Sequence, residues 1–249
     1  MKLSHLRVKG ERLSLIFSFL LVLSIAVFVY QISAWLIILA TAFQLFYTIM
    51  SQKQLIGNSL LVSQKQFPDI HSIAQQNAEE LGIPIPYIFI SQDPYINAFT
   101  IGFKSPYSII LNSALVEALT RDELDFIIGH EMGHIRFGHA KYLSLISPIG
   151  SDIPFISWLY AWWQRNAEYT ADRSGYTLTH EIKPAISSLI KLSVGSKLSQ
   201  IIDIDELIKQ IELGQCGFLS KAGELFLTHP YTTNRILHLV AYSHFEEDR

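Results

Sequence analysis

The stretch Thr120-Arg121-Asp122-Glu123-Leu124-Asp125-Phe126-Ile127-Ile128-Gly129-His130-Glu131-Met132-Gly133-His134 decides how the rest of the chain is read. Thr120 and Glu123 have the form of a capping box, Thr as N-cap and Glu at N3, which starts a helix just ahead of the two histidines. Leu124, Ile127, Ile128, Ile135 and Phe137 continue an apolar helical pattern to about Leu145, interrupted where the polar residues sit. On a helix His130 and His134, four apart, project from one face and can grip one zinc ion, while Glu131 can act as general base on a water. Two histidines and a glutamate in a helix of this apolarity are costly unless something satisfies them.

A tetrahedral site of this kind needs a third protein ligand and keeps its fourth position for water. One arrangement takes a third histidine at a fixed offset after a glycine, followed by a Met-turn. Here Gly138 falls one residue late and His139 one residue early, which leaves His139 outside the ligand set, and no methionine follows Met132. The other takes a glutamate from a later helix. Asn166-Ala167-Glu168-Tyr169-Thr170-Ala171-Asp172 supplies Glu168 as ligand and, one turn on, Asp172 to hold the free ring nitrogen of a ligand histidine. The glutamate arrangement fits the chain better.

Four separated pieces now resemble the membrane zinc peptidases of metallopeptidase family 48, the group of HtpX and the type-1 CAAX prenyl protease. They are Asn97-Ala98-Phe99-Thr100, the His130 to His134 motif, Glu168 with Asp172, and Thr228-His229-Pro230 followed by Arg235-Ile236. They come in the family's order and lie within roughly Phe67 to Tyr242. The resemblance implies a gluzincin-type metalloendopeptidase with one Zn2+ per chain, held by His130, His134 and Glu168, with Glu131 as catalytic base and Asp172 behind the ligands. It also implies that Asn97, Ala98 and Phe99 form an edge strand that binds a peptide substrate. The implied setting is a bacterial inner membrane and the implied role protein quality control.

The residues around the Asn97 segment read as short strands: Tyr87 to Ser91, Ile96 to Phe103 and Tyr107 to Leu111, with Lys104-Ser105-Pro106 as turn. An exposed edge strand can pair with an extended peptide backbone, although an ordinary hairpin covering the core reads the same way. Downstream, His229 can donate to a developing oxyanion, and Arg235 can brace an acidic group or the same oxyanion. Both also fit purely structural places. His5, His71, His180, His238 and His244 have no partner pattern.

From Leu13 to Met50 there is no Asp, Glu, Lys, Arg or His. One helix of that length would run about 57 Å, nearly twice the roughly 30 Å of hydrocarbon. Two spans, about 13–30 and 34–50, joined at Gln31-Ile32-Ser33 into a transmembrane hairpin are therefore expected. Lys2, Arg7, Lys9 and Arg12 form a basic N-terminus over 1–12 and Lys53 follows the second span, so both flanks favour the cytoplasm, as does the peptidase domain over 51–249. A single tilted span would put that domain on the opposite face. A cleaved signal peptide fits poorly, because a second apolar stretch follows at once. Cys216 stands alone and cannot form an internal disulfide.

Between the motif helices, 142–163 is apolar but broken by Pro148, Gly150, Asp152 and Pro154, a poor continuous span that can still be a membrane-associated insert. Its Trp158, Tyr160, Trp162 and Trp163 suit either a headgroup layer or the core. Helices are expected at Pro68 to Leu81, closed by Gly82, and near Lys183 to Val194, Asp203 to Leu213 and Thr232 to Ser243. The fold class is thus α+β, mostly helical with a small antiparallel sheet behind the hairpin. With net charge −3 and no dense basic stripe, nucleic acid is not an expected partner; peptide or protein substrate, a membrane protein among them, and the lipid bilayer are. Oligomeric state is not legible. A second functional class stays open, a zinc-stabilised module that holds unfolded or membrane proteins without cutting them.

Overall fold

A computed structural model describes residues 5–146, 154–214, 227 and 229–247. Pro148, Gly150, Asp152, Cys216 and Thr228 lie outside the described residues, as does the side chain of Trp158.

The helix bearing the two histidines, α5 (Arg121–Arg136), is the centre of the molecule. Its capping box forms as expected, the Thr120 hydroxyl accepting from the Glu123 amide and the Glu123 carboxylate accepting from the Thr120 amide. Phe126, Ile127, Ile128 and Met132 are buried on it. On one side lie α3 (Pro68–Leu81) and the sheet, on the other α7 (Pro154–Thr179), with α8 (Ile182–Val194) across the start. α3 begins on Pro68 and ends on Gly82 in the left-handed conformation, the arrangement its sequence specifies.

The sheet has four strands, β1 (Ser59–Leu61), β2 (Tyr87–Ser91), β3 (Ala98–Ile101) and β4 (Ser108–Asn112), in the order β1-β2-β4-β3. It is mixed, which corrects the antiparallel expectation. β3 and β4 form the expected antiparallel hairpin, but β3 folds to the outside, so β4 meets β2 in parallel. Burial decides this order: every residue of Ser108-Ile109-Ile110-Leu111-Asn112 is buried, so β4 belongs in the middle, and the half-exposed β3 belongs at the edge. β1, only three residues long, is not among the strands expected from sequence.

The pattern expected to run to Leu145 breaks after Arg136. Gly138, at φ +80°, turns the chain, and a separate helix α6 (His139–Ile146) starts. α4 (Ser113–Ala118), α9 (Ser196–Ser199), α10 (Ile204–Gly214) and α11 (Thr232–Glu247) complete the described elements.

At the N-terminus α1 (Glu11–Ile32) meets α2 (Ala34–Gly57) at Ser33. α1 is long and apolar enough to cross a bilayer. Its burial is inverted relative to a soluble helix: Glu11, Ser14 and Ser18 are fully buried, while Leu13, Phe17, Leu20 and Phe28 are more than half exposed. The polar stripe faces α7, where Asn166 donates to the Ser14 hydroxyl at 3.1 Å. Farther along, Leu15, Leu21 and Val22 pack on fully buried Tyr160 and Trp163, and Phe17 meets the half-exposed Trp162 edge-on. Tyr160 and Trp163 are thus packing residues of this helix pair.

Candidate active site

α5 and α7 approach closely because glycines line their contact. A Cβ on Gly133 would fall 2.7 Å from the Ser174 Cβ and 3.2 Å from the Ala171 Cα, and one on Gly129 would fall 3.1 Å from the Gly175 Cα. This contact brings the carboxylates of α7 onto the imidazoles of α5. His130 Nε2 lies 3.7 Å from Glu168 Oε2, His134 Nε2 lies 3.5 Å from Glu168 Oε1, and the two Nε2 atoms are 3.2 Å apart. Tetrahedral zinc with bonds of about 2.0–2.1 Å would set its donors about 3.3 Å from one another. The three residues, all buried, form a cluster that could bind a metal ion.

Protonation strengthens this fit. Asp172 Oδ1 is 2.9 Å from His130 Nδ1, and a carboxylate there accepts the Nδ1 proton and leaves Nε2 as a lone pair. Arg235, carried by α11, holds Asp172 with two bonds, Nε to Oδ2 at 2.9 Å and Nη2 to Oδ1 at 2.6 Å, and its Nη1 lies 3.4 Å from Glu168 Oε2. Burial alone would raise both carboxyls. Arg235 and His130 reverse this for Asp172, and His229, Arg235 and His130 hold Glu168 well below its ordinary value. Burial pushes His134 well below its ordinary value, toward the neutral ring that a metal ligand requires. Burial would also lower His130, but Asp172 and Glu168 together raise it.

Glu131 is buried beside the pair, and that burial raises its pKa. Its Oε2 accepts a 2.6 Å hydrogen bond from the Thr100 hydroxyl on β3. Asn97, Ala98, Phe99 and Thr100 line a cleft of about 370 Å³ together with His130, Glu131, His134 and Glu168. β3 pairs only with β4 among the described strands, so its other edge is open. His229 borders the same cleft, its side chain 68% exposed and its Nδ1 3.4 Å from Glu168 Oε1, a contact that raises its pKa. The structure therefore gathers His130, Glu131, His134, Glu168, Asp172, His229, Arg235 and the Asn97 segment around one point. Arg235 reaches the acidic groups, one of the places open to it from sequence.

Thr100, His139 and Glu11 carry site contacts that the sequence reading gave no role. Thr100 lies within a recognised motif, and His139 beside one. Glu11 looks like part of a charged flank.

The sequence model of peptidase family M48 matches residues 64–159 and 145–243. The chain is 31% identical over 169 residues to the Plastoglobule-localized metallopeptidase 48, chloroplastic, of Arabidopsis thaliana, covering 62% of this chain and 49% of that protein. It is 30% identical over 242 residues to the Protease HtpX homolog of Helicobacter acinonychis (strain Sheeba), covering 80% and 76%. With the Protease HtpX homolog of Streptococcus uberis (strain ATCC BAA-854 / 0140J) the figure is 27% over 217 residues, covering 69% and 72%. The chain thus spans about half the length of the Arabidopsis relative and about three quarters of the Helicobacter one. Family match, shared length and a buried two-histidine, one-glutamate cluster agree: this chain belongs to peptidase family M48 and is an HtpX-like metallopeptidase.

Proposed function

We propose that this chain is a membrane-anchored zinc endopeptidase, with His130, His134 and Glu168 as ligands of one zinc ion and Glu131 as general base. One observation carries the reading. Two imidazole Nε2 atoms face each other at 3.2 Å with Glu168 oxygens beside them, and the His130 ring donates its Nδ1 proton in a hydrogen bond to Asp172. Lone pairs converging in this way repel unless a cation lies between them.

Zinc bound there would polarise a peptide carbonyl and acidify a water. Glu131 then takes the proton of the attacking water and passes it to the leaving amine nitrogen. Its raised pKa brings it closer to neutrality, where a group that must both accept and return a proton works best. The Thr100 hydroxyl fixes the carboxylate's orientation. In this reading His229, on the rim of the cleft and 3.4 Å from Glu168, donates to the carbonyl oxygen as it gains charge, while Arg235 keeps Asp172 and Glu168 ionised.

Substrate docking on β3 follows from its free edge. Asn97 accepts from the Asn112 amide on the β4 side, so by strand alternation the main-chain groups of Ala98 and Thr100 point outward. An extended peptide added there gains backbone hydrogen bonds without a required sequence, which suits unfolded or damaged proteins.

The N-terminal contacts support the hairpin reading. Leu6 is fully buried, Val8 donates to Thr170 and Arg7 donates to the Phe137 carbonyl, so the start of α1 lies against the same body that follows α2. If α1 crosses a bilayer, a second crossing must bring the chain back to that side, and α2 is the segment available. The basic flanks favour the cytoplasmic face, here of a bacterial inner membrane. Substrates in or near that membrane, and a quality-control role, belong to the same proposal.

The test is metal removal and return on detergent-purified protein. Chelation should abolish cleavage of an unfolded protein such as casein, and one equivalent of zinc should restore it. Bound zinc with no turnover, and a chelator that alters only stability, would favour the non-catalytic module instead.

A further inference from the structure

We propose that the metal centre is completed from the N-terminal helix, with Glu11 acting through His139 as a positioning residue for His134. The inference rests on His134 being a zinc ligand.

Glu11 and His139 are 0% and 1% exposed. Glu11 Oε1 lies 3.1 Å from His139 Nε2, and His139 Nδ1 lies 3.0 Å from His134 Nδ1. Hydrogen-bond chemistry sets the direction of this chain. A carboxylate only accepts, so His139 donates from Nε2 and its Nδ1 keeps a lone pair. That lone pair accepts a hydrogen bond from the Nδ1–H of His134 and leaves His134 Nε2 free, the atom that faces His130 across 3.2 Å. Each ligand histidine is therefore held in one tautomer by a carboxylate: His130 directly by Asp172, His134 by Glu11 through an intervening imidazole.

The surroundings fix the relay in place. Gly138, at positive φ, turns the chain so that His139 folds back beside His134. The His139 ring stacks on Phe137 at 6.1 Å and meets Trp163 edge-on at 6.0 Å. Glu11 is satisfied on its other sides by Arg7 at 2.9 Å and by the Thr170 hydroxyl, which offsets the cost of burying a carboxylate. Phe137 also takes Arg7, through its carbonyl and over its ring. A helix that looks like a membrane anchor thus reaches the metal ligands through two hydrogen bonds. Undocking α1 would free the His134 ring to turn.

A plain staple between α1 and α7 would use the same contacts, so the variants must separate the two. In the full chain in detergent, zinc affinity is read by chelator competition and ligand geometry by the visible spectrum of the cobalt-substituted protein. Glu11→Leu removes the acceptor and should weaken zinc binding tenfold to a hundredfold and change the cobalt spectrum. Glu11→Gln keeps an acceptor oxygen while losing the charge that Arg7 pairs with, and should stay within a few-fold of the parent. His139→Phe leaves Glu11 paired with Arg7 and Thr170 and should match Glu11→Leu. Ser14→Ala, which cuts another α1–α7 contact, should bind zinc as the parent does. Should Glu11→Leu not fold, His139→Phe decides alone.

The proposal is overturned if His139→Phe binds zinc with parent affinity and spectrum. It is equally overturned if Glu11→Gln loses as much as Glu11→Leu, or if Ser14→Ala does. His134→Ala separates the layers. If it keeps parent zinc affinity the ligand reading itself is wrong, whereas if it loses zinc and the relay variants do not, only the relay is wrong.

Discussion

Arg235 grips Asp172 with two parallel hydrogen bonds, 2.9 Å from Nε and 2.6 Å from Nη2, and so fixes the carboxylate that orients His130. The planar fork matters here as much as the charge. Arg235→Lys keeps the charge and loses the fork, and should fold while binding zinc roughly tenfold more weakly. Arg235→Met strands a buried Asp172 and should cost about 3–5 kcal/mol. Chelator competition and thermal unfolding of the zinc-loaded proteins check the two.

The open edge of β3 makes a backbone prediction. Ala98→Pro removes one outward N–H while leaving the bonds of β3 to β4 in place. Loss of one substrate hydrogen bond, about 0.5–1.5 kcal/mol, should raise KM roughly twofold to tenfold. Zinc content should not change. Steady-state kinetics on an unfolded protein substrate, with metal analysis alongside, measures both.

His238 gives a pH dependence away from the metal. It stacks on Tyr169 at 4.3 Å, accepts from Arg173 at 3.2 Å, and is lowered to about 4, mainly by burial and then by Arg173. Unfolded, this ring would take a proton near its ordinary value of about 6.5, so the unfolded state binds more protons between those limits. Its contribution to stability is whole above pH 6.5, is lost as pH falls toward 4, and changes no further below. The loss is of the order of 2 kcal/mol after allowing for partial exposure. His238→Phe keeps the stack without the titration. Unfolding free energies of the two proteins should therefore differ by a constant above pH 6.5 and diverge in the variant's favour between 6.5 and 4.

What the sequence made legible was local. Thr120 with Glu123 and His130 with His134 are three or four residues apart, so helical geometry alone sets them in place, and Glu168 with Asp172 follows the same rule. What it hid was set by partners far along the chain. Glu11 meets His139 and Thr170 across 128 and 159 residues, and nothing beside Glu11 marks it for burial rather than for a charged flank. The sheet order was hidden for a like reason. The longer strands are legible to within a few residues, but which neighbour β4 takes depends on where its five buried residues find cover. β1, with three residues, is too short for any alternation to register. The break between α5 and α6 turned on Gly138, a signal present in the sequence but outweighed by the apolar pattern around it.

The most direct measurement is zinc content and turnover of Glu131→Gln beside the parent. The substituted side chain would keep an oxygen to accept the hydrogen bond from Thr100 and leave His130, His134 and Glu168 untouched, so one zinc per chain should remain. Without a carboxylate to take the water's proton, casein cleavage should fall by at least two to four orders of magnitude. A zinc-loaded Glu131→Gln protein that cuts at the parent rate would contradict the account.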